Sequence, residues 1–266
     1  MSAVTAEENS YPGLIDTHVH LNELDDPEKV ILRARSAGVR RIVAVGMDLA
    51  SNRKTLQLAE KYSDTVAAAI GYHPWMIREE AVDETLSFIE DHLEGCFALG
   101  EVGLDYKVKV RKGLQRLVFA HLLQIAAKKN KPVNIHSRLS YERTHRMVCE
   151  AGIRKAVFHW YSGPPEVLNR ILSDGYYVSA TPALAYSRYH RASIESAPIK
   201  RILIETDAPQ EYEGIPSEPA HLLNALKLLA QLKQIPETEA ARITSENAMQ
   251  FYGLVAPAAA LLNTER

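Results

Sequence analysis

Cysteine is scarce in this 266-residue chain, and no long apolar run is present. The two cysteines, Cys96 and Cys149, are too few for a disulfide framework and lack the paired spacing of a zinc knuckle or a redox motif. We expect both to be reduced residues that serve in packing. No apolar stretch approaches the roughly 20 residues that a membrane-spanning helix needs, so the sequence predicts no association with a membrane.

An excess of charge of one sign is also missing. The chain has 31 basic and 33 acidic side chains, so no overall cationic field would draw it to nucleic acid or to anionic lipid. Any phosphate-binding site must therefore be local. The first residues are polar and acidic, without the basic start and apolar centre of a signal peptide, and they predict a cytoplasmic protein.

What the sequence does have is a repeated alternation of short apolar stretches, rich in Val, Ile and Ala, with segments of helical apolar spacing. This alternation is typical of parallel βα units. Two further helices are predicted after the last strand. The predicted strands cover residues 13–20, 40–47, 65–74, 96–106, 131–137, 155–162, 175–183 and 199–209.

Eight such units in about 250 residues predict an α/β fold, a single-domain (β/α)8 TIM barrel. We expect the barrel over residues 13–254, an N-terminal extension over 1–12 and a C-terminal tail over 255–266. The alternative is an open, doubly wound sheet. It is disfavoured because "HVHLNEL" stands where a dinucleotide-binding fold needs a glycine-rich loop after the first strand.

Polar side chains collect late in these apolar strands, where a barrel of parallel strands builds its active site. The i, i+2 spacing of His18 and His20 places both imidazoles on one face of the first strand, so both can reach one ion. Imidazole and carboxylate ligands suit zinc and other borderline divalent ions, and a carboxylate can bridge two of them. The six candidate ligands are His18, His20, Glu101, His136, His159 and Asp207.

Each candidate also has an ordinary structural interpretation. A single late-strand histidine is usually a hydrogen-bonded packing residue. Glu101 and Asp207 interrupt apolar strands, where an unpaired carboxylate would be costly, so each needs a cationic partner or a metal. Since Arg138 is the only Lys or Arg at these strand ends, salt bridges account for fewer of the six residues than a metal site does.

Taken together, these motifs resemble the TatD-type metal-dependent hydrolases. "IDTHVHL", "GYHPW" and "ALGEVGLDY" are similar to motifs of the first, third and fourth strands of that family. "PVNIHSR", "FHWYSG" and "IETDAP" are similar to its motifs on strands five, six and eight. The resemblance spans roughly residues 13 to 254, with six independent motifs in the family's order.

The resemblance implies a binuclear site of two divalent ions, such as zinc, manganese or magnesium. His18, His20 and Asp207 would bind one ion, His136 and His159 the other, and Glu101 would bridge them. We further expect Asp207 to act as the catalytic proton acceptor. His73 and Arg138 are candidate substrate contacts, because each can donate to a negative oxygen. The alternatives are that His73 is a turn residue before Pro74, and that Arg138 only supports a ligand carboxylate.

The resemblance also implies a substrate: DNA, hydrolysed at a phosphodiester, with exonuclease action on single strands. The alternatives are hydrolysis of a small ester, lactone or amide at the same metals, or a non-catalytic metal-binding interaction protein. Glu101 stands where a phosphotriesterase-like or dihydroorotase-like relative would have a lysine, which favours the TatD interpretation.

Charged residues near the predicted mouth of the barrel have opposite implications for a phosphate-containing substrate. Glu211 and Glu213 follow the last strand and would repel a phosphate backbone. The loop after the fourth strand could restore a basic edge, although a solvated loop is the simpler interpretation. Its basic residues are Lys107, Lys109, Arg111 and Lys112.

Overall fold

The computed structural model describes residues 13–254, which form one α/β barrel. Its main sheet has eight parallel strands in sequential order. The strands are β1 Leu14–Val19, β2 Val39–Val45, β3 Val66–Ile70, β4 Ala98–Asp105, β5 Val133–Arg138, β6 Ala156–Phe158, β7 Tyr177–Ala180 and β8 Ile202–Ile204. All eight predicted strands are confirmed.

The sheet closes on itself between its first and last strands. The backbone N–H of Asp207 donates to the carbonyl of His18, and that of His20 donates to the carbonyl of Ala208. A parallel bridge also joins Val19 and Ala208. Closure in sequential order confirms the (β/α)8 barrel and excludes the doubly wound sheet, whose strand order reverses at a switch point.

A helix follows each strand, and a ninth ends the described part of the chain. The first six helices are α1 Pro27–Ser36, α2 Leu49–Lys61, α3 Val82–His92, α4 Lys112–Lys128, α5 Tyr141–Glu150 and α6 Pro165–Ser173. The last three are α7 Arg188–Ser196, α8 Leu222–Lys233 and α9 Glu237–Tyr252. Within residues 13–254, no helix is both long enough and apolar enough to cross a membrane. The predicted extension (1–12) and tail (255–266) lie outside the described residues.

Small and branched side chains fill the barrel, so its interior is a core and not a pore. Ile15, Val43, Ala67 and Val157 belong to one buried cluster that also includes Phe251 and Tyr252 of α9. The Tyr252 hydroxyl donates to the side-chain oxygen of Asn134 at 2.8 Å and lies 3.1 Å from the carbonyl oxygen of Thr17. The last helix therefore covers the end of the barrel at which the strands begin, and the opposite end is left for a site.

Two features of the outer surface differ from the sequence-based expectation. The segment after β8 contains a short antiparallel hairpin, β9 Glu211–Tyr212 with β10 Ile215–Pro216. Its Tyr212 hydroxyl donates to the carbonyl of Thr206, which fixes the hairpin against the strand end. Of the two cysteines expected to pack, Cys96 is buried, but Cys149 is exposed. The packing assignment of Cys149 was wrong, because its place on α5 leaves the thiol at the surface.

Gly71, directly after β3, allows that strand end to approach β4 closely. A methyl group here would lie 2.5 Å from the backbone oxygen and 2.7 Å from the backbone nitrogen of Glu101. Neither atom belongs to a flexible side chain. Only glycine therefore permits the close approach that fixes the backbone of Glu101.

We expect Gly71→Ala to lower the free energy of unfolding by about 1–3 kcal/mol, the usual range for overpacking, because the backbone of β4 must shift. Thermal denaturation measures the effect. Gly113→Ala is the matched control, since a methyl group there meets nothing within 4 Å and glycine is a poor helix former. A Gly71→Ala variant as stable as the Gly113→Ala variant would contradict the close packing.

Candidate metal centre

All six predicted ligands come together at the C-terminal end of the barrel. His18 and His20 lie at the end of β1, Glu101 on β4, His136 on β5, and His159 directly after β6. Asp207 follows β8. Glu101 is the most enclosed carboxylate of the group, with 2% of its surface exposed.

One group of donors surrounds the Oε2 atom of Glu101. The Nε2 atoms of His18 and His20 lie 3.2 and 3.4 Å from Oε2. The same two nitrogens lie 3.6 and 3.5 Å from Oδ1 of Asp207. Ligands bound to one zinc-sized ion at about 2.0–2.1 Å would stand about 3.3 Å apart in a tetrahedron. These four residues therefore have the spacing of one coordination sphere.

A second group of donors surrounds the other oxygen, Oε1. The Nδ1 atom of His136 and the Nε2 atom of His159 lie 2.9 and 2.8 Å from it. These two nitrogens are 3.5 Å from each other. The two oxygens of Glu101 thus face two separate sets of imidazoles, as a carboxylate between two ions would.

His73, which follows β3, also faces Glu101. Its Nε2 lies 3.3 Å from Oε1, while its Nδ1 accepts a hydrogen bond from the backbone N–H of Trp75. Burial lowers the pKa of His73 to about 4, despite the opposing effect of Glu101. A neutral imidazole whose Nδ1 accepts must carry its proton on Nε2. His73 is therefore a hydrogen-bond donor aimed into the site.

The electrostatics of the cluster depend on imidazoles. Burial by itself would raise the pKa of Glu101, but His73, His159 and His18 hold it well below its ordinary value. Among residues 13–254, neither Glu101 nor Asp207 forms an ion pair with a Lys or Arg. Two buried carboxylates among imidazole nitrogens fit a divalent metal, whose charge would balance theirs.

Carboxylates outside the cluster orient two of its histidines. Asp105 lies 3.2 Å from Nε2 of His136 and accepts a 2.6 Å hydrogen bond from the Trp75 indole N–H. Burial would raise the pKa of Asp105, but the His136 and Trp75 hydrogen bonds hold it below its ordinary value. With an ion bound, the proton of His136 would be directed to Asp105, which would leave its Nδ1 lone pair for the ion.

Glu205 is the carboxylate that lies behind His159. Its Oε1 lies 3.4 Å from Nδ1 of His159 and accepts hydrogen bonds from the Ser179 hydroxyl and the Trp160 backbone N–H. Trp160 has a left-handed backbone, with φ 41°, which a bulky residue rarely adopts. Such backbone strain is typical of functional sites. Here it accompanies the turn that follows His159.

Asp207 also has a left-handed backbone, with φ 51°, which aspartate tolerates better than most residues. Its position is fixed through the neighbouring Thr206, whose N–H and hydroxyl donate to Asp16 at 3.0 and 2.6 Å. Asp16 is fully buried on β1, and this burial raises its pKa to about 8. Asp16 thus joins β1 to the end of β8, which is a structural role.

Above the cluster lies a cavity of about 750 Å³. Its walls include three aromatic side chains, Trp75, Tyr141 and Trp160, together with Arg138 and Glu211. Trp75 is 48% exposed. No ion pair of Arg138 is present among the described residues, so its guanidinium is not occupied by a ligand carboxylate. The cavity therefore offers stacking surfaces and one cation beside the metal ligands.

The basic loop after β4 does not line this cavity. Arg111 pairs with Glu79, and the ammonium of Lys112 lies 4.8 Å from the Tyr106 ring centre. Sequence reasoning also missed Trp75 and Glu205. The sequence signals for these two residues were the indole directly after "GYHP" and the carboxylate two residues before Asp207. Neither signal identifies the role of the residue, because its partner is distant in the chain.

Comparison with known proteins agrees with the geometry. A family model described as TatD related DNase matches residues 15–253. The human protein Deoxyribonuclease TATDN3 is 30% identical, over 90% of this chain and 94% of its own. An uncharacterized metal-dependent hydrolase of Bacillus subtilis strain 168, YabD, is 33% identical over 90% of this chain and 98% of its own.

A solved structure agrees as well. The crystal structure of YJJV, a TatD homolog from Escherichia coli K12, superposes with a TM-score of 0.84 at 26% identity. The match covers 93% of this chain and 99% of that one. The chain therefore belongs to the TatD-related DNase family of metal-dependent hydrolases.

Proposed function

We propose that this chain is a metal-dependent deoxyribonuclease that hydrolyses phosphodiesters at a site for two divalent ions. The observation that carries the proposal is the position of Glu101, whose two carboxylate oxygens face two separate groups of ligand atoms at 2.8–3.4 Å. The names of relatives such as human TATDN3 supply the substrate class. They give no support to a small ester, lactone or amide.

The residues fall into two ligand sets that share Glu101. His18, His20 and Asp207 would hold one ion, and His136 and His159 the other. Zinc, manganese and magnesium are all compatible with imidazole and carboxylate ligands, and availability would select among them. When bound, two such ions would supply an activated water and stabilise the charge that develops on the phosphate.

Asp207 is the residue we assign to proton transfer. Burial would raise its pKa, but the hydrogen bond to His20 and the nearby imidazoles of His18 and His159 hold it below the ordinary value. Its carboxylate is therefore ionised at neutral pH. It lines the cavity and can accept the proton of an attacking water within hydrogen-bond reach.

His73 and Arg138 are the proposed substrate contacts. The Nε2–H of His73 is directed at the cluster and can donate to a phosphate oxygen there. Arg138 lines the same cavity without an ion pair and can pair with a phosphate of the strand. Trp75 and Trp160 add flat surfaces on which bases can stack, which suits single-stranded DNA. Glu211 also lines the cavity. Its negative charge opposes that of Arg138 and weakens the attraction of the cavity for longer anions.

Release of nucleotides from end-labelled single-stranded DNA tests the function. Chelated protein should be inactive, and magnesium, manganese or zinc should restore cleavage. Asp207→Asn should lose at least about a hundredfold in kcat, the range typical of a lost general base, while keeping most of its metal. Full activity of this variant would refute the assigned role.

The same assay separates the alternatives. Cleavage of a panel of small esters, but not of DNA with any divalent ion, would replace the nuclease by a small-ester hydrolase. Metal binding without cleavage of either class would favour a non-catalytic protein. Glu101→Ala serves as the inactive control.

Arg138→Ala should raise KM for single-stranded DNA and reduce the slope of log affinity against log salt by about one, since one phosphate contact is lost. Lys109→Ala is the matched control, because Lys109 does not line the cavity. Equal effects of the two substitutions would show that Arg138 acts only through overall charge. Titration of DNA binding at several salt concentrations provides the comparison.

Asp105→Asn should weaken metal binding by about 10- to 100-fold, the usual effect of losing a carboxylate that orients a ligand histidine. The amide still fits the space, but it carries no charge and is a weaker acceptor for the N–H of His136. Competition with a chelating dye measures the affinity. Asp83→Asn, at an exposed position on α3, is the control, and unchanged affinity in both variants would argue against the orienting role.

A further inference from the structure

A second cluster of ligand-type side chains lies among the outer helices. His145 and Cys149 stand one turn apart on α5, so their side chains project from the same face. Asp174, the residue directly after α6, meets them from the end of the neighbouring helix. The three residues come from two helices and belong to none of the ligand sets at the barrel mouth.

The three ligand atoms form a small triangle. Nε2 of His145 lies 2.7 Å from Oδ2 of Asp174, and Sγ of Cys149 lies 3.3 Å from that oxygen and 3.4 Å from that nitrogen. Around zinc, with bonds of about 2.0 Å to nitrogen or oxygen and 2.3 Å to sulfur, such atoms stand about 3.3–3.6 Å apart. Only the His145–Asp174 distance must open, and Asp174 is an exposed side chain that can move.

The triangle combines a fixed ligand with accessible ones. His145 is 6% exposed, and its ring lies 6.2 Å from that of Phe158 and 6.5 Å from that of Tyr176. The imidazole is thus held by packing. Cys149 and Asp174 are exposed, so an ion from solution can reach them, and water can fill a fourth position.

We propose that His145, Cys149 and Asp174 form a second, thiolate-containing metal site for zinc, which joins α5 to α6. Binding breaks the S–H bond of Cys149, releases its proton to solvent and forms a metal–sulfur bond without any redox change. The site differs in kind from the barrel mouth, whose candidate ligands are all nitrogen and oxygen. The soft thiolate favours zinc over magnesium or manganese.

The location gives the site a structural consequence. Helix α5 directly follows β5, which carries His136 and Arg138, and α6 follows the turn after His159. An ion between the two helices would fix the segments behind two of the barrel-mouth ligands. In the absence of an ion, partial desolvation of the sulfur and the adjacent Asp174 carboxylate raise the pKa of Cys149 to about 11, so the thiol is protonated at neutral pH.

Cobalt(II) titration of the untagged, metal-free full-length protein tests the proposal, because only a sulfur ligand gives the near-ultraviolet sulfur-to-cobalt charge-transfer band. We expect this band to reach the intensity of one cobalt–thiolate site per chain once the two barrel-mouth sites have also been filled, and to vanish on addition of excess zinc. It should be absent in Cys149→Ser and require at least tenfold more cobalt in Asp174→Asn. Glu150→Gln, which changes an exposed carboxylate on the same helix, should leave it unchanged.

Thiol reactivity gives an independent measurement. Zinc should slow the reaction of Cys149 with a disulfide reagent at least tenfold, both in the natural chain and in Glu101→Ala, in which the barrel-mouth site is lost. Cys96 is 4% exposed, and Cys96→Ser should behave like the natural chain. A missing cobalt band, a band that persists in Cys149→Ser, or a reaction rate that zinc does not change would each overturn the proposal.

Discussion

The structure of the site depends on one buried carboxylate enclosed by imidazoles. Glu101 contacts five histidines, His18, His20, His73, His136 and His159, and none of its partners in the described chain is a Lys or Arg. A negative charge in so enclosed a place is costly unless several donors or ions share it. The strand ends that carry these histidines are consequently held around one point, and the catalytic residue, the substrate cavity and the orienting carboxylates are arranged about it.

The layer of residues behind this cluster determines what each histidine can do. Asp105 accepts a hydrogen bond from Nε2 of His136, Glu205 lies against His159, and the backbone N–H of Trp75 donates to His73. In the first case the arrangement leaves a nitrogen lone pair for an ion, and in the third an N–H faces the site. All three residues are histidines, so the partners of each one decide whether it serves as a metal ligand or as a hydrogen-bond donor. Residues around a metal centre commonly orient its ligands in this way.

Much of this arrangement could be predicted from the sequence. Strand periodicity determines the eight strands, and since parallel strands end at one rim, late-strand residues such as His18, Glu101 and Asp207 must meet there. Pairings between distant segments are not encoded in any local pattern. Trp75 reaches Asp105 across 30 positions, and Glu205 lies beside His159 from another strand. Cys149 was misassigned for the same reason, because its partner Asp174 lies 25 positions later in the chain.

The last helix, α9, contacts the end of the barrel at which the strands begin, which we call the barrel floor. This contact also affects how the chain folds during its synthesis. Tyr252 binds Thr17 of the first strand and Asn134 of the fifth, and Phe251 packs beside it in the same buried cluster. Synthesis proceeds from the N-terminus, so every strand has left the ribosome before these two aromatic side chains are added. The floor of the barrel therefore stays open to water throughout most of translation. It closes only when α9 emerges, and a nascent chain stalled earlier exposes apolar surface that chaperones can bind.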